Sequence, residues 1–196
     1  MAQSDAPEEN VVEADDSTPK GAIRAFYTAL AKGDDRAASR FLVSADELAE
    51  WTRIQAQTSI AFRKLGTASV KRFGEEGKRL QMQAMAPAEL ILQKLDTWKL
   101  EENGDEAVWH VNPNAPLKMK KIDGRWKLDV LASFQSPEHL ELLNDVMARV
   151  NALVGKVADD LEQGRFDSVA EVRVELKRQR EAMERELADP APSRKP

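Results

Sequence analysis

The spacing of apolar residues changes twice along the chain. Apolar side chains recur mainly every three or four positions up to residue 96, every second position from residue 97, and every three or four again after residue 136. A period near 3.6 predicts helices, whereas a period of two predicts strands with one buried face. The pattern therefore predicts an α+β protein: N-terminal helices, an antiparallel meander of four strands, and a C-terminal α-helical hairpin.

Two helices are predicted within residues 18–43. The first has Thr18 as its N-cap and Pro19 at its first position, and Gly33 is placed where a left-handed C-terminal cap is needed. A short second helix is predicted through the stretch "DDRAASRFLV". The first helix carries one apolar stripe, formed by Ile23, Phe26, Tyr27 and Leu30.

A third, longer helix is predicted from the capping box of Ser44 and Glu47 to Gly66. Residues 67–86 show no clear period, and a further short helix is predicted from about Pro87. One face of the third helix is apolar at its ends and polar in the middle, which indicates a cavity beside it. That face consists of Leu48, Trp51, Gln55, Thr58, Phe62 and Leu65.

The four strands are predicted to form two hairpins with two-residue loops, Asn103-Gly104 and Asp123-Gly124. Both pairs suit type I′ turns, because asparagine, aspartate and glycine tolerate positive φ angles. Such loops fix the register and therefore the cross-strand neighbours. The predicted pairs are Trp98 with Trp109 and Leu100 with Ala107 in the first hairpin, and Leu117 with Val130, Met119 with Leu128 and Lys121 with Trp126 in the second.

The second hairpin is rich in lysine, which raises the alternative of a phosphate-binding surface. Lys118, Lys120 and Lys127 alternate with apolar residues, as they must on the solvated face of a half-buried strand. A nucleic-acid surface would place aromatic rings beside the cations for stacking, but the tryptophans are predicted on the opposite face. We therefore predict a solvated sheet face and no nucleic-acid partner.

The C-terminal helical hairpin carries more apolar surface than its own two helices can cover. Its first helix is predicted between Ser136 and Gly164, and its second begins at Asp167 or Ser168 with a thinner stripe that Gln179 interrupts. The long stripe must be buried either as a lid on the preceding domain or against a second chain. We favour a homodimer or another protein partner through Leu143, Val146, Met147, Val150, Leu153, Val154 and Val157.

Charge and composition set further bounds. The net charge is −5, but residues 1–16 hold six acidic and no basic residues, so the rest of the chain is −5 + 6 = +1. We predict that residues 1–16 form a disordered acidic tail and residues 190–196 a disordered C-terminal tail. No apolar run is long enough to span a membrane, and the lack of cysteine excludes thiolate chemistry and cysteine zinc sites.

Two segments resemble a known superfamily. "STPKGAIRAFYTALAKGDDRAASRFL" resembles the opening helix of the nuclear-transport-factor-two-like (SnoaL-like, cystatin-like) superfamily, and "GDEAVWHVNPNAPLKMKKIDGRWKLDV" resembles the closing strands of its bacterial members. The resemblance implies a domain over residues 17–134, in which a curved sheet wraps around helices to form a cone. It implies nothing for residues 135–189, the predicted helical hairpin. The superfamily contains isomerases, dehydratases, polyketide cyclases and non-catalytic adaptors, so it leaves the activity open.

Candidate chemistry is sparse. Members of this superfamily that are enzymes place acid or base groups inside the cone, but His110 is predicted on the outer sheet face and His139 in the first turn of a helix. We predict no catalytic residue, metal ion or cofactor. A small-molecule pocket, if present, would be lined by Tyr27, Trp51, Gln55, Thr58, Trp98 and Trp109.

These observations predict a non-catalytic binding or scaffolding module that associates through its C-terminal helices. The alternative is an isomerase, dehydratase or cyclase with a cone-shaped pocket near Tyr27. The stretch "AQSDAPEE" after Met1 resembles the mature N-terminus of an exported protein. We therefore expect a bacterial periplasmic or extracytoplasmic protein whose leader peptide has been removed, with the cytoplasm as the alternative.

Overall fold

A computed structural model describes residues 15–110, 116–134 and 136–188. The described chain has the predicted α+β architecture. Along the sequence, helices precede and follow the strands of one antiparallel sheet. The predicted C-terminal tail and most of the predicted N-terminal tail lie outside the described residues. The elements are α1 (Pro19–Lys32), α2 (Asp35–Ser39), α3 (Ala49–Phe73), α4 (Glu75–Gln83), α5 (Pro87–Lys94), β1 (Leu100–Asn103), β2 (Glu106–Trp109), β3 (Leu117–Ile122), β4 (Arg125–Asp129), α6 (Pro137–Glu162) and α7 (Val169–Ala188).

The first helix has the predicted caps at both ends. The Thr18 side chain accepts a hydrogen bond from the Gly21 amide at 3.0 Å, and Gly33 ends the helix with a φ of 84°. The guanidinium of Arg63 in α3 also donates to the Ala31 carbonyl at 2.7 Å. Because the last carbonyls of a helix lack partners within it, Arg63 joins α3 to the end of α1.

The third helix differs from the prediction at both ends. It begins at Ala49, because Ser44 and Glu47 form a turn before it rather than a capping box. It also continues through Gly66 and ends only before Gly74. A Cβ on Gly66 would lie 2.8 Å from Gln81 Cγ, so this glycine makes room for α4 and does not stop the helix.

Residues 67–86, which the sequence pattern left unassigned, complete α3 and form α4. The two helices pack back to back, and a Cβ on Gly77 would lie 2.0 Å from the Ser69 carbonyl oxygen. Such close approach of two main chains requires a residue without a side chain. A glycine that enables packing thus has the same sequence appearance as a glycine that ends a helix.

The sheet is a meander in the order β1-β2-β3-β4. The second hairpin has the predicted register, with Met119 opposite Leu128 and Lys121 opposite Trp126. Its loop residues Asp123 and Gly124 have φ angles of 51° and 78°, as a type I′ turn requires.

The predicted register of the first hairpin is wrong by two residues. Leu100 pairs with Trp109, and Asn103 is the last residue of β1 rather than part of the loop. The loop is Gly104-Asp105, and the positive φ of 63° at Gly104 fits the first central position of a type II′ turn. A shift of two keeps every side chain on its predicted face, so Trp98 still meets Trp109 edge to face, with ring centroids 5.0 Å apart.

The described residues form two hydrophobic cores. The first lies between the inner face of the sheet, with Trp109 and Trp126, and α1, with Phe26. The second lies between α3, α4, α6 and α7, and consists of Leu65, Ala68, Leu80, Val154, Val157, Ala158, Leu161, Val169 and Val172. Helix α3 contributes to both cores, because its N-terminal half packs under the sheet and its C-terminal half enters the second core.

Helix α6 packs chiefly along α3, and α7 packs on α6 and α4. Asn151 reaches Ile54 and Asp159 pairs with Lys64, so α6 runs in the same direction as α3. The sequence offered a lid on the preceding domain or a second chain as the cover for the long α6 stripe, and the C-terminal half of the stripe is covered within the chain, by helices of that preceding domain. That half is buried by α3 and α4, because α3 extends two turns beyond the end predicted for it.

The outer face of the sheet is solvated and mixed in charge. Glu106 pairs with Lys120 across β2 and β3, and the Lys120 ammonium lies 2.8 Å from the Asp129 carboxylate. The free edge of β4 is covered by residues 41–43, since the Leu128 amide donates to the Phe41 carbonyl at 2.7 Å. No helix among the described residues is long and apolar enough to cross a membrane.

Candidate functional site

The structure brings four of the six predicted pocket residues together around a small cavity. The cavity has a volume of about 90 Å³ and lies between α1, α3 and α5. Tyr27, Trp51, Gln55 and Thr58 line it, together with Leu30, Ser59, Pro87, Ala88 and Ile91. The other two predicted residues lie behind Tyr27: the ring of Trp109 is 6.2 Å from that of Tyr27, and Trp98 packs on Trp109.

The size of this cavity limits what it could hold. Pockets for organic ligands and cofactors are commonly about 300–1,000 Å³, whereas a water molecule takes about 30 Å³ of liquid volume. A cavity of about 90 Å³ is therefore too small for such a ligand and has room only for a few water molecules. Binding of a larger molecule would require some of the lining side chains to move.

The buried hydroxyl groups of α3 form hydrogen bonds within that helix. The hydroxyl of Thr58 donates to the Ile54 carbonyl at 2.9 Å, and those of Thr52 and Ser69 make the same bond to the carbonyl four residues earlier. Serine and threonine make such bonds when their side chains are buried in a helix. The Thr58 hydroxyl on this face therefore has a partner within α3 and does not require a ligand.

The Tyr27 hydroxyl is buried beside this cavity. Burial raises the pKa of its hydroxyl well above the ordinary value, so the phenol stays protonated at neutral pH. A catalytic acid or base works best when its pKa is near the operating pH. Among the described residues that line the cavity, none has a carboxylate or an imidazole that could exchange a proton with Tyr27.

The two histidines lie where they were predicted, away from this cavity. His110 is on the outer face of the sheet, with its Nε2 atom 3.5 Å from the Glu101 carboxylate. His139 is in the first turn of α6, where its backbone amide donates to the Ser136 hydroxyl at 3.3 Å. Within the described ranges, no three histidine or carboxylate side chains are grouped as a metal site would require.

A second candidate site lies on the C-terminal helices. Four helices form the second core, and α4 is much shorter than the other three. Helix α4 has 9 residues, against 25 in α3, 26 in α6 and 20 in α7. At 1.5 Å per residue, α4 covers only about 13 Å of a bundle more than twice that long. Beyond it the remaining apolar residues are half-buried and belong to neither core, and we call them the α6/α7 stripe: Leu143, Val146, Met147, Met183 and Leu187.

The two parts of the stripe are far apart in the sequence but lie side by side at the open end of the helical hairpin. Arg149 of α6 lies 3.7 Å from Glu186 of α7, which places the N-terminal half of one helix beside the C-terminal half of the other. The Asn144 side-chain oxygen is buried beside the stripe and finds no hydrogen-bond partner in the described part of the chain. By contrast, Val157 and Leu161, on the same face of α6, are each 1% exposed.

Comparisons of this chain with known protein families, curated proteins and solved structures found no match. The resemblance to the nuclear-transport-factor-two-like superfamily therefore stays a prediction.

Proposed function

We propose that this protein is a non-catalytic binding or scaffolding module that associates with a second copy of itself through the α6/α7 stripe. One observation carries the proposal: the apolar face of α6 is buried at Leu140 and again from Val154 onward, but its residues between these two points are only half-buried. A helix supplied by another chain would occupy the position that α4 leaves empty. Homodimers with two-fold symmetry are the commonest closed assemblies, so a second copy is the simplest partner.

The chemistry of the small cavity supports a non-catalytic role. Its described lining has one phenol that stays protonated, and its hydroxyls are engaged in α3. The α6/α7 stripe, in contrast, has aliphatic and thioether side chains at positions where a helix could pack between α6 and α7.

The test is the oligomeric state of the full chain. Five half-buried side chains offer a modest area, so we expect a weak dimer that is best detected by sedimentation equilibrium at high micromolar concentration. Met147→Glu should shift the equilibrium to the monomer. Leu142→Glu is the matched control, because Leu142 is 58% exposed on the same helix, outside the stripe. A strictly monomeric wild-type chain, or equal effects of both substitutions, would refute the homodimer.

A further inference from the structure

The hairpin of β1 and β2 joins an asparagine directly to a glycine. Asn103 is the last residue of β1 and Gly104 is the first residue of the loop. The full sequence contains one Asn-Gly pair, because its other asparagines precede valine, proline, alanine or aspartate. Glycine has no Cβ that would hinder the approach of its own amide nitrogen to the preceding side chain. This pair is therefore the position in the chain where a backbone nitrogen meets the least hindrance in attacking an asparagine side chain.

The described part of the structure leaves this pair open. Asn103 and Gly104 are both exposed, and a Cβ built on Gly104 would have no atom within 4 Å. Among the described residues, no group accepts a hydrogen bond from the Gly104 amide. The amide nitrogen is therefore neither shielded by a neighbour nor engaged in the sheet.

The main chain of Asn103 is held only at the end of a ladder. Asn103 pairs with Glu106, which is the last pair of β1 and β2 before the loop. Beyond the glycine, the chain is tied to β3 at Asp105, whose carbonyl accepts from the Lys121 amide at 2.8 Å. Local opening costs the least free energy where few contacts hold the backbone, as at the end of a ladder. Asn103 can therefore rotate into position for attack while the rest of the sheet and both cores stay folded.

We propose that Asn103 is a site of spontaneous deamidation through a succinimide. The Gly104 amide nitrogen gives its proton to hydroxide and forms a bond to Asn103 Cγ. The bond from Cγ to Nδ2 then breaks, and the nitrogen takes up a proton from water and leaves as ammonia. Water next opens the ring: attack at Cγ gives aspartate, and attack at the main-chain carbonyl carbon gives isoaspartate. The net reaction consumes one water and releases one ammonia, with no oxidation or reduction.

Either product adds a negative charge to a stretch that is already acidic. Glu101, Glu102, Asp105 and Glu106 are exposed around Asn103, and Glu106 lies directly opposite it. Like charges directly opposite each other destabilise an antiparallel pair. Isoaspartate also adds a main-chain carbon beside a two-residue loop, and the length of such a loop sets the register. The reaction therefore loosens the loop end of this hairpin.

The test is incubation of the folded full-length protein in mildly alkaline buffer, followed by tryptic digestion and mass spectrometry. Trypsin releases residues 100–118 as one peptide, and its fragments locate the replacement of an NH2 group by OH. We expect conversion at Asn103 before Asn144 and Asn151, which lie within α6. Conversion should be slower in mildly acidic buffer, because the attacking nitrogen must lose its proton.

The same chain unfolded in guanidinium chloride gives the reference rate. Because opening at the end of a ladder costs little, Asn103 in the folded protein should convert at most about tenfold more slowly than in the unfolded chain. A greater slowing, or conversion of Asn144 or Asn151 as fast as that of Asn103, would overturn the proposal.

Two matched variants separate the chemistry from the fold. Asn103→Gln keeps an amide but requires a larger ring for attack, so it should abolish the conversion at this position. Asn144→Gln is the control and should leave the rate at Asn103 unchanged. Conversion that persists in Asn103→Gln, or an equal loss in both variants, would refute the mechanism. The hairpin is separate from the α6/α7 stripe, so this proposal and the proposed dimer can fail independently.

Discussion

The side-chain amide of Asn151 donates a hydrogen bond to the Ile54 carbonyl at 3.1 Å and thereby joins α6 to α3. The same carbonyl also accepts from the Thr58 hydroxyl at 2.9 Å. The oxygen of the same side-chain amide, in contrast, is buried and accepts no hydrogen bond from the described residues. This contact between the two long helices is therefore only half-satisfied.

We predict that Asn151→Leu will leave the protein equally stable or stabilise it by about 1 kcal/mol. The substitution removes one hydrogen bond, worth about 1 kcal/mol, but it also removes an unsatisfied oxygen whose burial costs about 1–3 kcal/mol. Ile54 keeps its bond from Thr58. Urea denaturation measures the change, with Asn151→Ala as the comparison, which should destabilise because it leaves a cavity. A loss of more than about 2 kcal/mol in Asn151→Leu would contradict this account.

Two of the glycines within helices, Gly77 and Gly155, should respond to alanine in opposite directions. Gly77→Ala places a methyl group 2.0 Å from the Ser69 carbonyl oxygen, so α3 and α4 must separate. We expect a loss of about 2–3 kcal/mol in the free energy of unfolding. Gly155, in α6, has no atom within 4 Å of the new methyl group, so Gly155→Ala should gain about 0.5–1 kcal/mol. Thermal unfolding of both variants checks the prediction, and similar effects at both positions would contradict the packing described for Gly77.

The pH dependence of stability should include a contribution from Glu175. Hydrogen bonds from Arg178 and Gln179 lower the pKa of this carboxyl from 4.5 to about 2. A folded-state pKa below the unfolded one stabilises the protein above pH 4.5, and this stabilisation is lost as the pH falls towards 2. Because the pair is on a helix surface, we expect about 1 kcal/mol.

The measurement is the difference in unfolding free energy between wild type and Glu175→Gln. It should be about 1 kcal/mol at pH 7 and shrink towards zero between pH 4.5 and pH 2. Glu184→Gln, on the same helix in a more exposed ion pair with Arg180, is the matched control for the loss of a surface carboxylate. A constant difference across this range would mean that Glu175 is not paired in the folded state.

Tyr27→Phe should change the unfolding free energy by less than about 1 kcal/mol, since none of the described residues hydrogen-bonds to the hydroxyl. Trp51→Ala is the positive control. It removes a buried ring that stacks on Phe26, with centroids 6.3 Å apart, and should cost about 3–5 kcal/mol.

The enzyme alternative makes a different prediction: a substrate whose turnover is lost in Tyr27→Phe but kept in Thr58→Val. That result would replace the non-catalytic proposal.

The sequence predicted the elements that depend on local signals. The caps of α1 and α6 were predicted correctly, because Thr18 and Ser136 precede a proline at the first helical position. The second hairpin was also predicted correctly, since Asp123 and Gly124 both adopt the positive φ that a type I′ turn needs. In the first hairpin two adjacent pairs, Asn-Gly and Gly-Asp, each suit a two-residue loop. The local sequence could not distinguish them.

Features that depend on contacts distant in sequence were missed. Gly66 and Gly77 are packing positions between α3 and α4, and this role depends on the neighbouring helix rather than on flanking residues. The early end assigned to α3 then concealed the main partner of α6. The residues around the Tyr27 cavity could be named from the stripes of α1 and α3, but the cavity's small volume depends on Pro87, Ala88 and Ile91 of α5.

Helix α3 belongs to both cores, and this has a consequence for how the protein comes apart. Its first half cannot leave the sheet without pulling on the half that packs against α6, and a continuous helix of 25 residues transmits that displacement along its length. Unfolding should therefore be a single cooperative transition. In hydrogen-exchange experiments, the best-protected amides of β3 and α6 should then show the same free energy of opening. A partner that stabilises α6 and α7 would accordingly slow exchange in the distant sheet as well.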